Sequence, residues 1–355
     1  MRILHLPSSV GSNSYNLAIG EKKNGAESRV LIQNPTIYSN KADIVLLPAK
    51  NKYINFVRWI KFCIFNRRKY DVFHYNFGST LFNTHNQALF GLDLRWFKRR
   101  KKVIAVTYQG SDARQANYCV KHYETSHYTK EDAIDQKAID EEKIFRIAFF
   151  EKNADLIYAT NPDLLNMLPE RAKFRPYTKL QPEEWVPCFS DYTKKRISIL
   201  HAPSNPKVKG TEYVNKAIEQ LQNEGYEIEY MLLQNIPNSE VIEYYQKADL
   251  VIDQLLVGWY GGFAVECMAL GKPVMCYIRE SDMKYIPQEM NAEMPIIRVT
   301  KETLYQQLKY TLDNKEDLAE IARKSRQYVE KWHDPKKIAK DLLADYKCIF
   351  DSKNG

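Results

Sequence analysis

Residues 258–274 read Gly258-Trp-Tyr-Gly-Gly-Phe-Ala-Val-Glu266-Cys-Met-Ala-Leu-Gly-Lys-Pro-Val274, and they predict a loop, a helix and a strand in succession. An apolar run at 249–256 precedes the loop and has the length of a strand. Gly261 and Gly262 carry no Cβ, so the backbone there can approach a ligand closely. We expect the helix to begin near Gly262, where its free N–H groups and its dipole favour a phosphate group.

Glu266 lies one turn inside this predicted helix, where a carboxylate suits the two hydroxyl groups of a ribose. Gly271-Lys-Pro273 then predicts the end of the helix and the start of a strand at 274–278. The segment could therefore hold a diphosphate and a ribose within one helical turn of each other.

On both sides of this segment, strands alternate with helices through most of the chain, which predicts parallel, doubly wound sheets. A proline-rich tract at 176–191 predicts a linker, and the helices near the end of the chain break at His333-Asp334-Pro335. We predict domains at 1–185 and 192–335, and a helix at 336–355 that packs back on the first domain. The predicted strands are 2–6, 28–33, 43–47, 71–75, 103–108, 155–159, 197–201, 227–234, 249–256, 274–278 and 295–299.

A second phosphate candidate follows the strand predicted at 197–201. Lys209-Gly210 ends the loop that begins at Ser204 and includes Asn205 and Lys207, and it opens the next helix. An ammonium group at that point can meet diphosphate oxygens. A solvated surface lysine is the alternative interpretation.

These two segments together resemble the donor site of retaining glycosyltransferases of family four, which have the GT-B fold. The resemblance implies an α/β protein of two Rossmann-like domains with a cleft between them. It also implies that Glu266 holds the donor ribose and that Lys209 contacts the diphosphate. Gly258 stands where the family has its first glutamate. The implied donor-binding residues are Ser204, Asn205, Lys207, Lys209, Gly261, Gly262, Phe263, Ala264 and Glu266.

The first half resembles the same family less sharply. Gly11-Ser12-Asn13 follows the first strand as the family's glycine loop does, although a plain strand–helix turn explains it equally well. Gln109-Gly110-Ser111-Asp112 resembles the family's His-Gly-x-Asp with the histidine replaced. The resemblance makes Asp112 and His74 catalytic candidates, and it puts Gln109, Gly110 and Arg114 on the acceptor side. A structural role is the alternative for His74.

The positive charge is concentrated in the first part of the chain. Residues 1–110 hold 18 Lys and Arg against 5 Asp and Glu, a net charge of +13, whereas the whole chain carries +8. Two segments mix these cations with Trp59 and Phe62, and with Trp96 and Phe97, which predicts binding to an anionic membrane surface. A buried helix with a charged end explains residues 54–66 equally well, and nucleic acid is disfavoured because no nucleic-acid motif occurs. The predicted contacts are Arg58, Trp59, Lys61, Arg67, Arg68, Trp96, Arg99, Arg100, Lys101 and Lys102.

The six cysteines have no paired or metal-like spacing, and no Asp-x-Asp, Walker or zinc motif occurs. We expect a cytoplasmic protein, peripheral on the inner face of the cell membrane, with no signal peptide. The resemblance implies a hexosyltransferase-type enzyme without a metal or other cofactor, which passes a sugar from a nucleoside diphosphate to a hydroxyl group of a glycan or lipid-linked glycan. A nucleotide-sugar epimerase, a phosphorylase-like enzyme and an inactive glycan-binding scaffold are the alternatives.

Overall fold

The computed structural model describes residues 1–35, 41–47, 49–234 and 238–355, and it contains two parallel β-sheets. The first sheet consists of β1 (Arg2–Leu6), β2 (Glu27–Ile32), β3 (Ile44–Val45), β4 (Val72–Asn76), β5 (Val103–Tyr108), β6 (Leu156–Ala159) and β7 (Lys173–Phe174), in the order β3-β2-β1-β4-β5-β6-β7. The second consists of β8 (Ile197–His201), β9 (Ile228–Leu232), β10 (Leu250–Ile252), β11 (Val274–Cys276) and β12 (Ile297–Arg298), in the order β12-β11-β10-β8-β9.

The helices connect these strands, as the alternating pattern predicts. Those that precede the second sheet are α1 (Asn13–Lys23), α2 (Lys52–Asn66), α3 (Leu92–Lys98), α4 (Ala116–His122), α5 (Lys130–Asp135) and α6 (Lys137–Asn153). The remaining helices are α7 (Pro206–Lys209), α8 (Thr211–Asn223), α9 (Asn238–Lys247), α10 (Gly262–Ala269), α11 (Gln288–Ala292), α12 (Leu304–Asp313), α13 (Leu318–Trp332) and α14 (Pro335–Asn354).

The chain forms two compact units, one around each sheet. The first unit contains Met1–Tyr118, Ile134–Leu180 and Asp334–Gly355. The second contains Cys119–Ala133 and Gln181–His333, so a short segment from the first half of the sequence belongs to the second sheet's unit. The break predicted at 333–335 is confirmed: Asp334 caps α14 by accepting a hydrogen bond from the Lys336 N–H at 2.8 Å.

The first sheet is covered on both faces, which explains why its central strands β4, β5 and β6 are buried along their whole length. One face carries the larger apolar core, to which α2, α3 and α6 contribute Cys63, Phe97 and Phe150. The other face packs against α1 and α14 through a second cluster that includes Leu17 and Tyr346. The C-terminal helix α14 therefore belongs to the core of the first unit.

One strand boundary differs from the sequence prediction in a way that matters for the site. The apolar run 249–256 predicts one strand, but the regular strand β10 ends at Ile252. The Asp253 side chain accepts a hydrogen bond from the Gly261 N–H at 2.7 Å, which folds the following residues into a loop. The short strand β7, Lys173–Phe174, was not predicted, because two residues carry no recognisable periodicity.

Three aromatic residues of the two basic segments, Trp59, Trp96 and Phe97, pack against the core of the first unit. Phe97 is fully buried and stacks on Phe73 with ring centroids 3.6 Å apart. Trp59 packs edge-on against Phe82 at 5.6 Å, and Trp96 also packs against the core. These three rings contribute to the core of the first unit, Phe97 completely and the partly buried Trp59 and Trp96 in part. Among the described residues, none of the helices combines the length and apolar character that crossing a bilayer requires.

Candidate nucleotide-sugar site

The first turn of α10 is the centre of the candidate site in the second unit. Gly261 precedes the helix in an extended conformation, with φ −97° and ψ 178°. The N–H groups of Gly262, Phe263 and Ala264 belong to the first turn and have no acceptor within the helix. These donors and the positive end of the helix dipole point the same way, so the site suits an anionic group.

Lys209 reaches this turn from the end of α7. Its side chain is buried, and its ammonium group forms an ion pair with Asp253. The Lys209 Nζ lies 6.0 Å from the centre of the Phe263 ring. A Cβ added at Gly261 would lie 3.4 Å from the same Nζ atom. The lysine is therefore not a solvated surface residue. An ammonium group has three donors, of which Asp253 takes one, so others remain for an anionic ligand.

Asp253 organises the site, although the sequence patterns do not predict it as a site residue. The carboxylate is fully buried, and it accepts hydrogen bonds from both Lys209 and the Gly261 N–H. It holds the ammonium group beside the first turn of α10. A carboxylate directly after the apolar strand β10 is the sequence signal that could have identified it, because strand ends in parallel sheets position site residues.

Glu266 lies one turn into α10 and is partly exposed. The Tyr245 hydroxyl donates a hydrogen bond to its carboxylate, and the Tyr245 ring packs 5.2 Å from that of Phe263. Burial and then the nearby Glu266 charge raise the pKa of Tyr245, so the phenol stays protonated and serves as a donor. Tyr245 thus orients Glu266, while the exposed part of the carboxylate can accept hydrogen bonds from a ligand.

Arg279 fills the space where the side chain of residue 258 would begin. A Cβ added at Gly258 would lie 2.7 Å from the Arg279 Nη1 atom, and Gly258 has a φ of +89°. The guanidinium group donates to Asp282 at 3.0 Å and to the Thr125 carbonyl at 3.0 Å. Its central carbon also lies 3.6 Å from the centre of the Tyr123 ring. Arg279 therefore occupies the space that a glutamate side chain at position 258 would need.

The loop at 204–210 contains three other candidates, Ser204, Asn205 and Lys207. Asn205 caps α7 by accepting hydrogen bonds from the Lys207 N–H at 3.1 Å and the Val208 N–H at 3.4 Å. Lys207 is exposed, and its ammonium group pairs with Asp132 at 2.9 Å. Ser204 is exposed as well. Lys209 is the residue of this loop for which the described contacts show a position beside the first turn of α10.

In the first unit, the carboxyl ends of β1, β5 and β6 bring several candidates together. Asn13 donates from Nδ2 to the Gln109 Oε1 at 3.1 Å, and it follows Gly11 and Ser12, whose φ values are +58° and +62°. Asn161, after β6, donates to the Gln109 carbonyl at 3.0 Å. The buried Gln109 Nε2 has no hydrogen-bond partner among the described residues. The predicted glycine loop and the Gln109 loop are therefore neighbours, as parallel strand ends require.

Asp112 and Arg114 stabilise the loop that follows β5. Asp112 accepts hydrogen bonds from the Gly110 N–H at 2.7 Å and the Gln109 N–H at 3.0 Å. Burial raises the pKa of this carboxyl to about 6, although these hydrogen bonds oppose the shift. Arg114 pairs with Asp163 through two hydrogen bonds of 2.7 and 3.2 Å. Both side chains are engaged with the protein itself.

His74 lies apart from that group, in the interior of the first unit. It is fully buried, its Nε2 shares a hydrogen bond of 2.7 Å with the Thr107 hydroxyl, and its Nδ1 is hydrogen bonded to the Tyr346 hydroxyl of α14. Burial holds the pKa of this histidine well below its usual range, so the ring is neutral. These contacts correspond to the structural alternative, and the ring presents no surface to a ligand.

The comparisons with known proteins concern the fold. No family model and no curated protein sequence matches this chain. Sucrose-phosphate synthase from Thermosynechococcus elongatus is similar in structure, with a TM-score of 0.63, 14% identity and coverage of 99% of this chain and 100% of that chain. The Anabaena protein Alr3699/HepE, solved in complex with UDP, has a TM-score of 0.65, 12% identity and coverage of 98% and 100%.

UDP-GlcNAc 2-epimerase from Neisseria meningitidis, solved with UDP-GlcNAc bound, is also similar, with a TM-score of 0.54, 12% identity and coverage of 97% of this chain and 99% of that one. The likeness extends over nearly the whole of each chain in all three cases. Together with the two parallel sheets, it shows that this chain has the GT-B fold, with two Rossmann-like domains.

Proposed function

We propose that this protein is a glycosyltransferase that moves a sugar from a uridine-diphosphate sugar to a hydroxyl group of a glycan or lipid-linked glycan. The arrangement at the start of α10 carries the proposal. Free N–H groups, the helix dipole and the Lys209 ammonium group converge there on one point, and Glu266 follows one turn later. The uridine base is proposed because two proteins of similar structure were solved with UDP or UDP-GlcNAc.

The proposed reaction forms a bond between the acceptor oxygen and the anomeric carbon and breaks the bond from that carbon to the diphosphate. The proton of the acceptor hydroxyl leaves on a phosphate oxygen, and UDP is released. Negative charge develops on the diphosphate during this step, and prearranged donors are most effective where charge develops. Retention of the anomeric configuration is proposed from the resemblance of Lys209 and residues 261–273 to the family-four pattern.

A nucleotide-sugar epimerase of the same fold is the second candidate. Gly258 and Arg279 favour it, because the donor sugar would meet a different side chain from the glutamate of the family-four pattern. A panel of UDP-sugars, incubated with and without oligosaccharide acceptors, separates the two functions. Release of UDP supports the transferase. Recovery of the UDP-sugar with inverted configuration at one sugar carbon supports the epimerase. Neither turnover nor binding of any donor would contradict both and favour an inactive scaffold.

Glu266→Gln is expected to weaken the binding of UDP about 10- to 100-fold, because hydrogen bonds to a charged acceptor contribute about 1.5–3 kcal/mol. The amide keeps an acceptor oxygen for the Tyr245 hydroxyl, so the fold should be retained. Isothermal titration calorimetry measures the affinity, and Glu219→Gln, an exposed glutamate on α8, is the matched control. Equal affinity of wild type and Glu266→Gln would show that the carboxylate does not hold the ribose.

We also propose that the donor site works without a metal ion, and we expect turnover to survive an excess of EDTA. Among the described residues, no group of three or more His, Cys, Asp and Glu side chains is arranged to hold a metal ion. Initial rates with and without EDTA, followed by addition of Mg²⁺ or Mn²⁺, test the proposal. A rate abolished by EDTA and restored by either cation would overturn it.

A further inference from the structure

The helix α2 of the first unit presents apolar side chains to solvent. One face of α2 packs against the core through Phe56, Trp59 and Cys63. On the opposite face Tyr53 is 72% exposed and Phe65 77% exposed, and Ile54, Val57 and Ile64 are between 43% and 52% exposed. We call these five residues the α2 face. Val57 follows Ile54 by three residues and Tyr53 by four, and Ile64 follows Val57 by seven, so these side chains share one side of the helix.

The chain continues from this stripe directly into exposed cations. Arg68 and Lys69 follow α2, and Arg99, Arg100 and Lys101 follow α3. We call these five residues the cationic edge. The pairing of Val72 with Val103 places the two segments side by side, and Lys102 lies 3.9 Å from Asp71 between them. In the described part of the chain, none of the five forms an ion pair with a carboxylate.

We propose that the α2 face and the cationic edge together dock the protein on the surface of an anionic lipid bilayer. The cations are attracted to the headgroups, while the apolar side chains enter the boundary between headgroups and acyl chains. The inference does not depend on the proposed reaction. The proposed membrane contacts differ from those predicted from the sequence, because Trp59 and Trp96 pack against the core.

Two other binding partners for this surface, a second copy of the chain and a nucleic acid, fit these observations less well. A second copy of the chain would bring two cationic edges together, and residues 1–110 already carry +13. A nucleic acid would use the cations, but the exposed Ile and Val side chains of the α2 face would find no partner in a phosphate backbone. Only a bilayer surface offers anionic groups with an apolar layer directly beneath them.

Flotation of the full chain with vesicles tests the proposal. We expect wild type to float with vesicles containing phosphatidylglycerol, to bind pure phosphatidylcholine at least tenfold more weakly, and to be partly released by 0.5 M NaCl through screening. Arg99→Ser/Arg100→Ser/Lys101→Ser should lose about 100-fold in affinity, since each cation near the surface contributes about fivefold. Lys216→Ser/Lys340→Ser/Lys347→Ser, which changes three exposed lysines elsewhere, should bind as wild type does.

The apolar variant distinguishes a bilayer from a soluble polyanion. Val57→Ser/Ile64→Ser/Phe65→Ser should lose at least about tenfold in vesicle affinity. Ile139→Ser/Ile144→Ser, which changes exposed isoleucines on α6, should lose nothing. Failure of wild type to float, or full binding by the apolar variant, would overturn the proposal. Loss of a wild-type dimer in the apolar variant, seen by analytical ultracentrifugation without vesicles, would assign the face to a second copy and overturn it as well.

Discussion

Lys209→Met is expected to lower the free energy of unfolding of the second unit by about 3–5 kcal/mol, because it leaves the fully buried Asp253 carboxylate without its cation. Methionine fills most of the volume of the lysine stem, so the loss reports the missing charge more than a cavity. Chemical denaturation measures the change. Lys216→Met, at an exposed position on α8, is the matched control and should change stability by less than about 0.5 kcal/mol.

A second substitution separates the structural role of Lys209 from its proposed role in binding. Lys209→Met/Asp253→Asn removes both charges, and the asparagine oxygen can still accept the Gly261 N–H. We expect most of the lost stability to return. The double variant should still bind UDP at least about tenfold more weakly than wild type does. Its affinity for uridine should equal that of wild type, because only the diphosphate loses its ammonium partner. Normal UDP affinity in this stable double variant would show that Lys209 serves Asp253 alone.

The sequence predicts features that depend on local patterns. The strands 103–108 and 197–201 agree with β5 and β8 to the residue, because mainly apolar stretches of that length between turn signals indicate buried parallel strands. The start of α10 at Gly262 follows from the glycine pair and the run of helix formers behind it. Each of these predictions needs only a few neighbouring residues.

Features that depend on distant residues could not be predicted in this way. Asp253 meets Lys209 from 44 positions away, and His74 meets Tyr346 from 272 positions away. The same limit affects α2, where the sequence shows aromatic and cationic residues but not which of them face the core. A mixture of Trp and Phe with cations predicted a membrane contact for Trp59, whereas packing against Phe82 places that ring inward.

Gly258→Glu is expected to destabilise the second unit by about 2–5 kcal/mol rather than to create a better donor site. A residue with a Cβ at a φ of +89° is strained by about 1–2 kcal/mol, and overpacking adds about 1–3 kcal/mol. The new Cβ would lie 2.7 Å from the Arg279 Nη1 and 3.0 Å from the Arg279 Cβ. The guanidinium group cannot move away freely, because Asp282 and the Thr125 carbonyl hold it.

A double-mutant cycle of Gly258→Glu with Arg279→Ala tells whether Arg279 is the cause of this loss. Arg279→Ala alone is costly, because it removes the ion pair between Arg279 and the buried Asp282. In the Arg279→Ala variant the arginine no longer fills the space beside residue 258. Adding Gly258→Glu to that variant should therefore cost only the backbone strain of about 1–2 kcal/mol. Strictly additive free energies of unfolding would show that the two side chains do not compete. A stable single Gly258→Glu variant with faster donor turnover would show instead that the family-four glutamate fits this site, and that Arg279 yields to it.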